Sequence, residues 1–522
     1  MKLPVSIIVL SSLSPVLSAY ELHEWGTFTT VSGSNGENLA GLHVEEEHLP
    51  AFVYSHVGME NYDPYSYRDY YRSNGKRPPQ QQMLVRQDGN KLSFPFRSGK
   101  GMPTASIQNV TVKMETPVIY FYGDDTPNVN VKVGFNGGTI SQWYPQRKSG
   151  DTPNLINQKY ATFSPDLAKY KGNKQLISTK PINFAEHYKG AIEWDVEIIP
   201  KDETDAAHTF KSYENKAWIY PRVPGANMIK VGQEFEDYLF YRGMGNFPTS
   251  VKFTVDENET LNVTNNSREA IPFAFAFENI HGKFRYKKLG SIAPDTVVTV
   301  SESEWVNPAQ QQVEVFKEVR SGLVSQGLSI HEANGMVKTW WQSYFNKPGL
   351  RIFWVVPQGD LERVLPLVAS PKPTKQVRVM VGRSDVLRPK MEQDMVAKLG
   401  TKAFRKYSKD RFYLPYLNRL RQLVKEPMFQ RLDEDNLHND YLNITAKNGD
   451  SHKKHRFYLS KGDNVSLQHI GLQGAWKIIG KDILLIGDTK FTLNTRTGLL
   501  TAAASQDSKF ETYQIQLKKV LN

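Results

Sequence analysis

Short apolar segments separated by clusters of turn residues recur along most of this chain. Residues 116–122 are almost all apolar or aromatic, which is typical of a strand covered on both faces. Val129, Val131 and Val133 alternate with polar neighbours, which is typical of a strand buried on one face. The two patterns together predict an N-terminal β-sandwich over residues 20–234. Its clearest strands are at residues 23–31, 110–122, 129–135 and 139–144.

A second group of strands occupies residues 235–305, with turn residues between its apolar runs. The number and spacing of these strands predict an immunoglobulin-like β-sandwich. A chain of 522 residues exceeds one ordinary hydrophobic core, so several domains are expected.

The apolar period changes to 3.6 residues after residue 305, which indicates helices. Asn307 and Pro308 have the chemistry of an N-cap followed by the first helical residue. Ser329 begins a second helix, and Glu332 stands where it would close a capping box. Residues 306–388 are therefore predicted to form a helical hairpin followed by strands, an α+β region.

Residues 389–436 are predicted to be a basic helical segment. From Lys372 to Arg431 there are sixteen Lys or Arg against five Asp or Glu. Residues 437–522 contain short strands joined by tight polar turns, which predict a small C-terminal β barrel or sandwich. The fold class is thus mainly β with an α+β middle region, in a multi-domain chain.

The first residues have the composition of an export signal. Lys2 precedes an apolar stretch, which is followed by the small residues Ser18 and Ala19 that suit a signal peptidase. The stretch is interrupted by Pro15 and is shorter than the roughly 20 residues that cross a bilayer. A cleavable signal peptide over residues 1–19 predicts an exported protein, periplasmic or extracellular.

The chain has no cysteine and a formal net charge of +11. Disulfides, thiolate metal sites and a cysteine nucleophile are therefore excluded. No later segment has the apolar length of a membrane span. The positive charge favours an anionic partner such as acidic polysaccharide, anionic lipid or an envelope polymer, with no nucleic acid expected. Colloidal solubility is the simpler explanation of the same charge.

Four segments resemble those of a family of large secreted bacterial proteins with no assigned activity. They are residues 23–28 (HEWGTF), 113–122 (KMETPVIYFY), 239–247 (LFYRGMGNF) and 336–340 (MVKTW). The resemblance extends to about residue 400 and leaves the C-terminal β region outside it. It implies secretion, and it carries over no catalytic residue.

A divalent metal site is one candidate for chemistry in the N-terminal domain. His23, His48, His56 and Glu60 offer imidazole and carboxylate ligands that suit zinc, and a bound zinc would activate water for hydrolysis. Their spacing matches no zinc motif, and ordinary hydrogen bonding of the histidines is the alternative interpretation.

Glu24 and Glu115 are the candidate catalytic carboxylates. Glu115 stands near the start of an otherwise apolar strand, where burial would raise its pKa and make it a usable acid or base. Exposure, or pairing with Lys113, is the alternative interpretation of Glu115. On a strand, Glu24 faces the opposite side from His23, so the two do not share one face.

Six basic residues of the helical segment, interleaved with aromatic side chains, are candidate anion contacts. They are Arg405, Lys406, Lys409, Arg411, Arg419 and Arg421. The chain contains no nucleophile elbow, P-loop or dinucleotide fingerprint. The first hypothesis is therefore an exported protein that binds an anionic or glycan surface. The alternative is a metal- or carboxylate-dependent hydrolase with its site in the N-terminal β domain.

Overall fold

The computed structural model is mostly strands. It describes residues 20–43, 49–50, 52–55, 83–86, 91–93, 98–99, 102–103, 107–123, 128–151, 176–177, 182–184, 188–199, 216–223, 225–425, 428–429, 431–433, 437, 441–459 and 464–521. The predicted signal peptide, residues 1–19, and the candidate ligands His48, His56 and Glu60 lie outside this part of the chain. The mainly β, multi-domain fold predicted from the sequence is confirmed.

The strands are numbered in chain order. They are β1 (Glu21–Ser32), β2 (Tyr54–Ser55), β3 (Met83–Arg86), β4 (Lys91–Ser93), β5 (Ser98–Gly99), β6 (Met102–Pro103), β7 (Ile107–Gln108), β8 (Val112–Tyr122), β9 (Asn128–Asn136), β10 (Gly138–Tyr144), β11 (Ser149–Gly150), β12 (Leu176–Ile177), β13 (Ile182–Asn183), β14 (Lys189–Ile199), β15 (Met228–Val231), β16 (Glu234–Glu236), β17 (Leu239–Gly245), β18 (Val251–Val255), β19 (Leu261–Asn265), β20 (Ile271–Ile280), β21 (Lys283–Ile292), β22 (Thr296–Val300), β23 (Gly349–Val355), β24 (Leu367–Ser370), β25 (Lys375–Val386), β26 (Tyr441–Asn448), β27 (Ser451–Tyr458), β28 (Asn464–Leu467), β29 (Leu472–Ile479), β30 (Ile483–Ile486), β31 (Thr489–Asn494), β32 (Leu499–Ala503) and β33 (Thr512–Gln516).

The helices are fewer and lie mainly in the second half of the chain. The α-helices are α1 (Lys216–Ile219), α2 (Gln311–Val324), α3 (Ile330–Trp340), α4 (Gln358–Val364), α5 (Pro389–Lys398), α6 (Arg405–Ser408) and α7 (Tyr413–Leu423). A π-helical turn at Trp341–Phe345 continues α3, and short 3₁₀ turns lie at Glu302–Glu304, Lys402–Phe404 and Gln468–Ile470.

A 15-stranded sheet forms the centre of the molecule, along the path β16-β15-β14-β10-β17-β8-β1-β25-β23-β20-β21. The first strand, β1, lies between β8, to which it is antiparallel, and β25, to which it is parallel. Lys375, 354 positions after Glu21, pairs with it in this ladder. The sheet takes strands from each of the regions 20–234, 235–305 and 306–388, whose limits stay predictions.

Both faces of the main sheet are covered by hydrophobic cores. On one face Trp25, Tyr120 and Phe240 belong to a core that includes the helices α2 and α3. On the other face Leu22 and Phe121 belong to a separate core that extends to α4. Because β1 is covered on both sides, its polar residues are buried as well as its apolar ones.

Residues 235–305 form two layers. One layer is the three-stranded sheet β18-β19-β22. Its Phe253 and Val263 share a core with Ala276 and Trp354 of the main sheet. The second layer is not a separate sheet, because β20 and β21 are the last two strands of the main sheet.

The helical hairpin is present, and α2 contacts α3. The predicted capping box of α3 is confirmed: Glu332 N donates to Ser329 Oγ at 3.1 Å, and Ser329 N donates to Glu332 Oε2 at 2.7 Å. The predicted start of α2 at Pro308 is wrong, because the helix begins at Gln311. Gln310 occupies the N-cap position, and its backbone N–H donates to Glu314 Oε1 at 2.9 Å.

The basic helical segment packs against the main sheet. Leu399, Phe412 and Leu420 share a core with Val31 of β1 and Met244 of β17. The segment therefore covers one end of the same sheet face that α2 and α3 cover. The side chains of that end of the sheet lie beneath the segment.

The C-terminal region is an eight-stranded sheet with the order β27-β26-β33-β32-β31-β30-β29-β28. It is barrel-like and nearly closed, and it has its own core of residues such as Ile444, Leu484 and Ile515. The predicted C-terminal β unit is thus confirmed. None of the described helices combines the length and apolar character needed to cross a membrane.

Candidate functional site

A line of backbone irregularities crosses four neighbouring strands of the main sheet. The register shifts between Trp25 and Thr27 in the β1–β8 ladder. It also shifts after Phe240 in the β17–β8 ladder and after Ile140 in the β10–β17 ladder. Thr116 of β8, on the same line, has a φ of 56°, a left-handed conformation that is rare for a threonine. Bulges redirect side chains and occur beside functional sites, which directs attention to this part of the sheet.

Gly26 is required where β1 passes this line. A Cβ atom on Gly26 would lie 2.8 Å from Pro117 Cα and 3.0 Å from Met380 Sδ. Only glycine allows the backbone of β1 to approach β8 this closely.

Charged residues occupy two neighbouring cross-strand rows next to these bulges. Lys113 pairs with Thr29, and Thr29 pairs with Arg383, in the β8–β1–β25 ladders. Glu115 pairs with Thr27 in the adjacent row. Directly opposed residues of neighbouring strands point to the same face, so these side chains share the face that α2 and α3 cover.

Within this face, Lys113 Nζ lies 3.1 Å from Glu115 Oε1, and Arg242 Nε of β17 lies 3.8 Å from Glu115 Oε2. On β25, Asp385 forms two ion pairs. Its Oδ2 lies 2.6 Å from Arg383 Nη2, and its Oδ1 lies 2.9 Å from Arg351 Nε. We call the six residues the buried charged cluster: Lys113, Glu115, Arg242, Arg351, Arg383 and Asp385. Each is at most 8% exposed.

The cluster contains four cations and two carboxylates. Burial lowers the pKa of Arg351 to about 10; Asp385 opposes this shift, while repulsion from Arg411 and Arg383 adds to it. Arg351 is still protonated at neutral pH. Among the described residues, the cluster therefore contains more cations than carboxylates.

Aromatic side chains from two other elements cover the cluster. The Phe412 ring centre lies 5.6 Å from Lys113 Nζ, 5.6 Å from Arg383 Cζ and 4.6 Å from Arg411 Cζ. Tyr344 of the π turn lies over Arg383, with its ring centre 3.9 Å from Cζ. Three cations thus surround one phenyl ring, an arrangement that uses the negative faces of aromatic rings.

Neutral polar groups line the same face. Thr27 Oγ1, Thr29 Oγ1 and Trp340 Nε1 are buried and have no hydrogen-bond partner among the described residues. Trp340 stacks on Tyr344 with ring centres 5.4 Å apart, so it belongs to the same aromatic cover. Buried polar groups are normally satisfied by protein, water or ligand, so these three groups need a partner beyond the described side chains.

Glu115 and Arg411, which the sequence indicates for different roles, both lie at this cluster. Glu115, a candidate catalytic carboxylate, is paired with Lys113, as the alternative interpretation held. Arg411, a candidate anion contact, lies at the edge of the cluster, where Arg411 Nη2 is 3.6 Å from Asp385 Oδ1. Arg411 Nη1 also donates to Ser343 O.

Glu24 lies on the opposite face of β1. It is fully buried; Oε2 accepts from Arg378 Nε at 2.7 Å, and Oε1 accepts from Tyr241 Oη. Arg378 also donates to Leu365 O at 2.8 Å. Because both carboxylate oxygens are engaged within the protein, we interpret Glu24 as a structural anchor between β1 and β25.

His23 lies on the cluster's face of β1 but at the far end of the strand. Its Nδ1 is 3.0 Å from Glu332 Oε1, and its Nε2 is 3.4 Å from Glu21 Oε2. Tyr122 donates to the same Glu332 oxygen at 3.0 Å. Among the described residues there is no group of three or more side chains that could hold a metal ion, and His48, His56 and Glu60 are not among them.

The other candidate anion contacts do not converge with Arg411. Arg419 forms a buried two-pronged pair with Glu392, at 2.7 and 2.8 Å. Lys406 pairs with Asp394 at 2.7 Å. Arg421 donates to Asn418 Oδ1, and Arg405 and Lys409 are exposed on and beside α6.

Sequence reasoning missed Lys113, Arg242, Arg351, Arg383 and Asp385 as site residues. A usable signal was present for Arg242 and Arg351, since each is a charge inside an otherwise apolar segment with the length of a strand, whereas Arg383 and Asp385 lie in a polar run. What the sequence does not show is the register that places them in adjacent rows.

Three of the four segments quoted from the sequence, residues 23–28, 113–122 and 239–247, lie mainly in the adjacent strands β1, β8 and β17 around the cluster. The fourth ends α3, at Trp340. Comparison of the chain with protein-family models gives no match, and comparison with curated proteins gives none either.

Proposed function

We propose that this chain is an exported binding protein for an anionic glycan, and that the buried charged cluster with Arg411 holds the acidic group of that ligand. The observation that carries the proposal is the convergence of Lys113, Arg383 and Arg411 on the ring of Phe412, within 4.6 to 5.6 Å of its centre.

The charges of the cluster are buried. Removing a charge from water is costly unless an opposite charge or hydrogen bonds replace the water. Among the described residues, four cations and two carboxylates form the cluster, and Arg411 and Asp410 add one charge of each sign at its edge. A carboxylate or sulfate group placed among them would form charge-assisted hydrogen bonds, which are the strong ones in proteins.

The neutral groups favour a sugar over a bare inorganic anion. Thr27 and Thr29 offer hydroxyls that donate and accept, and Trp340 offers an indole N–H. Tyr344 and Phe412 supply aromatic surface beside them. A sugar bearing an acidic group combines hydroxyls, apolar ring faces and negative charge, and it matches each of these features.

Export is part of the proposal and is supported by the N-terminal sequence. Lys2, the apolar stretch that follows it and the pair Ser18–Ala19 have the order of a signal peptide. An exported protein meets acidic polysaccharides and envelope polymers outside the cytoplasm, in the periplasm or the extracellular space.

The proposal is tested by thermal unfolding in sulfate, glucuronate and glucose at fixed ionic strength. Sulfate and glucuronate should raise the Tm, because a ligand that binds only the folded state stabilises it, and glucose should not. Arg411→Gln, at the partly exposed edge of the cluster, should remove most of this rise.

The matched control is Lys375→Gln, which removes the same charge from the exposed end of β25. It should leave the rise in Tm unchanged. Equal effects of all three solutes, or equal loss in the two variants, would contradict the proposal.

A second candidate function is hydrolysis with Glu115 as acid or base. The observation that favours it is the position of Glu115 beside Thr116, whose strained backbone lies on the line of bulges. Glu115→Gln separates the two functions. In a binding protein this variant keeps or gains affinity for glucuronate, whereas in a hydrolase it abolishes release of reducing sugar from an acidic polysaccharide.

A further inference from the structure

We infer that the outer face of strands β26 and β27 of the C-terminal sheet is a docking surface for acidic polysaccharide. This surface lies in a different part of the molecule from the buried charged cluster, and the inference is independent of the function proposed for that cluster.

The register of the two strands defines the surface. Leu442, Ile444 and Ala446 of β26 point into the C-terminal core, so the alternate residues of β26 face outward with their partners on β27. The outward pairs, which we call the barrel stripe, are Tyr441 with Tyr458, Asn443 with Arg456, Thr445 with Lys454, and Lys447 with His452. From the first pair to the last the stripe is about 20 Å long, since a strand rises about 3.4 Å per residue.

The stripe is basic. Lys447, Lys454 and Arg456 are its charged members, and the eight residues include no carboxylate. A polyanion laid along the two strands would meet cations at successive outward positions. Such a contact is electrostatic and is weakened by salt.

One end of the stripe is aromatic and open to solvent. Tyr441 is 57% exposed and Tyr458 is 38% exposed, and their ring centres are 5.1 Å apart. Arg456 Cζ lies 4.2 Å from the centre of the Tyr441 ring. This contact holds the planar guanidinium above the sheet, where its donors suit two-pronged recognition of a carboxylate or sulfate.

Protection of a sheet edge explains only part of this pattern. β27 ends the order of the sheet, and edge strands often carry lysines that discourage pairing with other chains. Exposed aromatic side chains favour association with other chains, because they add apolar surface. Edge protection therefore accounts for Lys454 and leaves the exposed tyrosines unexplained.

The geometry favours a polysaccharide over a single-stranded nucleic acid. Nucleic-acid bases bind such surfaces by stacking on open aromatic faces. At the barrel stripe one face of Tyr441 is already covered by Arg456. The outward groups are instead amide, hydroxyl and cationic donors, which suit the hydroxyls and acidic groups of a uronic-acid polymer.

The test measures binding of the full-length chain to immobilised polygalacturonate, with neutral dextran and poly-dT as comparison surfaces. The wild-type protein should bind polygalacturonate, and salt should release it. The variant Lys454→Gln/Arg456→Gln should lower the affinity about tenfold, because two charge-assisted contacts are lost. Both substitutions are on exposed positions, and circular dichroism with the Tm checks that the variant is folded.

The matched control is Lys477→Gln/Lys490→Gln, which removes the same charge from exposed positions on β29 and β31. It should change the affinity less than about twofold, as expected of residues outside a binding contact. An equal loss in both double variants, tighter binding to poly-dT, or no binding to polygalacturonate would overturn the inference. The stripe variant should keep the rise in Tm with glucuronate, so failure of this inference and failure of the cluster proposal are distinguishable.

Discussion

Arg383 of β25 and Phe412, which directly precedes α7, are in contact: the Arg383 guanidinium carbon lies 5.6 Å from the centre of the Phe412 ring. Lys113 and Arg411 approach the same ring. Phe412 itself is almost fully buried, in the core beneath the basic helical segment. The helical segment thus does not present one continuous basic face. At Phe412 it packs on charged side chains of the sheet.

The ring of Phe412 should therefore contribute more than apolar volume. We expect Phe412→Leu to lower the free energy of unfolding by about 1–3 kcal/mol, because it exchanges the ring for an aliphatic side chain beside three cations. Urea unfolding at neutral pH measures this change. The control is Phe404→Leu, in the same core but with its ring centre 5.7 Å from that of Tyr407 rather than near the cluster. A smaller loss in Phe412→Leu than in the control would argue against a cation–ring contribution.

Glu24 should be essential for stability. Glu24→Gln removes the buried carboxylate from Arg378 and leaves the partly exposed Glu362 as its charge partner, and losing a buried partner costs about 3–5 kcal/mol. Glu21→Gln, three positions earlier on β1, removes an exposed pair with Lys375 and should cost about 1 kcal/mol or less. Denaturant unfolding of the two variants compares them directly. Similar losses in both would mean that burial of the Glu24–Arg378 pair does not matter.

His43 should make the fold sensitive to acid. Burial lowers the pKa of His43 to about 4, below the usual value near 6.5, so the folded state binds this proton less readily than the unfolded state. The stabilising effect of a neutral His43 is therefore complete above pH 6.5 and is lost as the pH falls towards 4. The loss amounts to about 3 kcal/mol at pH 4.

The measurement is urea unfolding of the wild-type protein and of His43→Leu at pH 7 and pH 4.5. The variant lacks the titrating group, so its stability should fall less between the two pH values than that of the wild type. Parallel losses in the two proteins would show that His43 does not contribute.

Much of the local structure is predictable from the sequence, because it depends on neighbouring residues. The apolar pattern identifies the strands at residues 110–122 and 129–135, and Ser329 with Glu332 identifies the start of α3. The start of α2 is missed because Gln310 occupies the N-cap position instead of Asn307, and its backbone N–H donates to Glu314 Oε1.

The candidate site is less accessible to sequence reasoning. Glu115 and Arg411 are recognisable separately, the first as a charge in an apolar strand and the second as part of a basic segment. Their proximity depends on Thr29 lying between Lys113 and Arg383, which requires that β1 pair with β25 across most of the chain. No short-range pattern specifies such a pairing, since register in a sheet is set by partners that the sequence alone does not name.

The most direct test of the account is a crystal structure of the full-length chain grown in selenate, with anomalous diffraction at the selenium edge. The account predicts a selenium peak beside the Phe412 ring, with selenate oxygens about 3 Å from nitrogen atoms of Lys113, Arg383 or Arg411. Selenate bound only at exposed lysines, or a carboxylate of the chain itself filling that position, would contradict it.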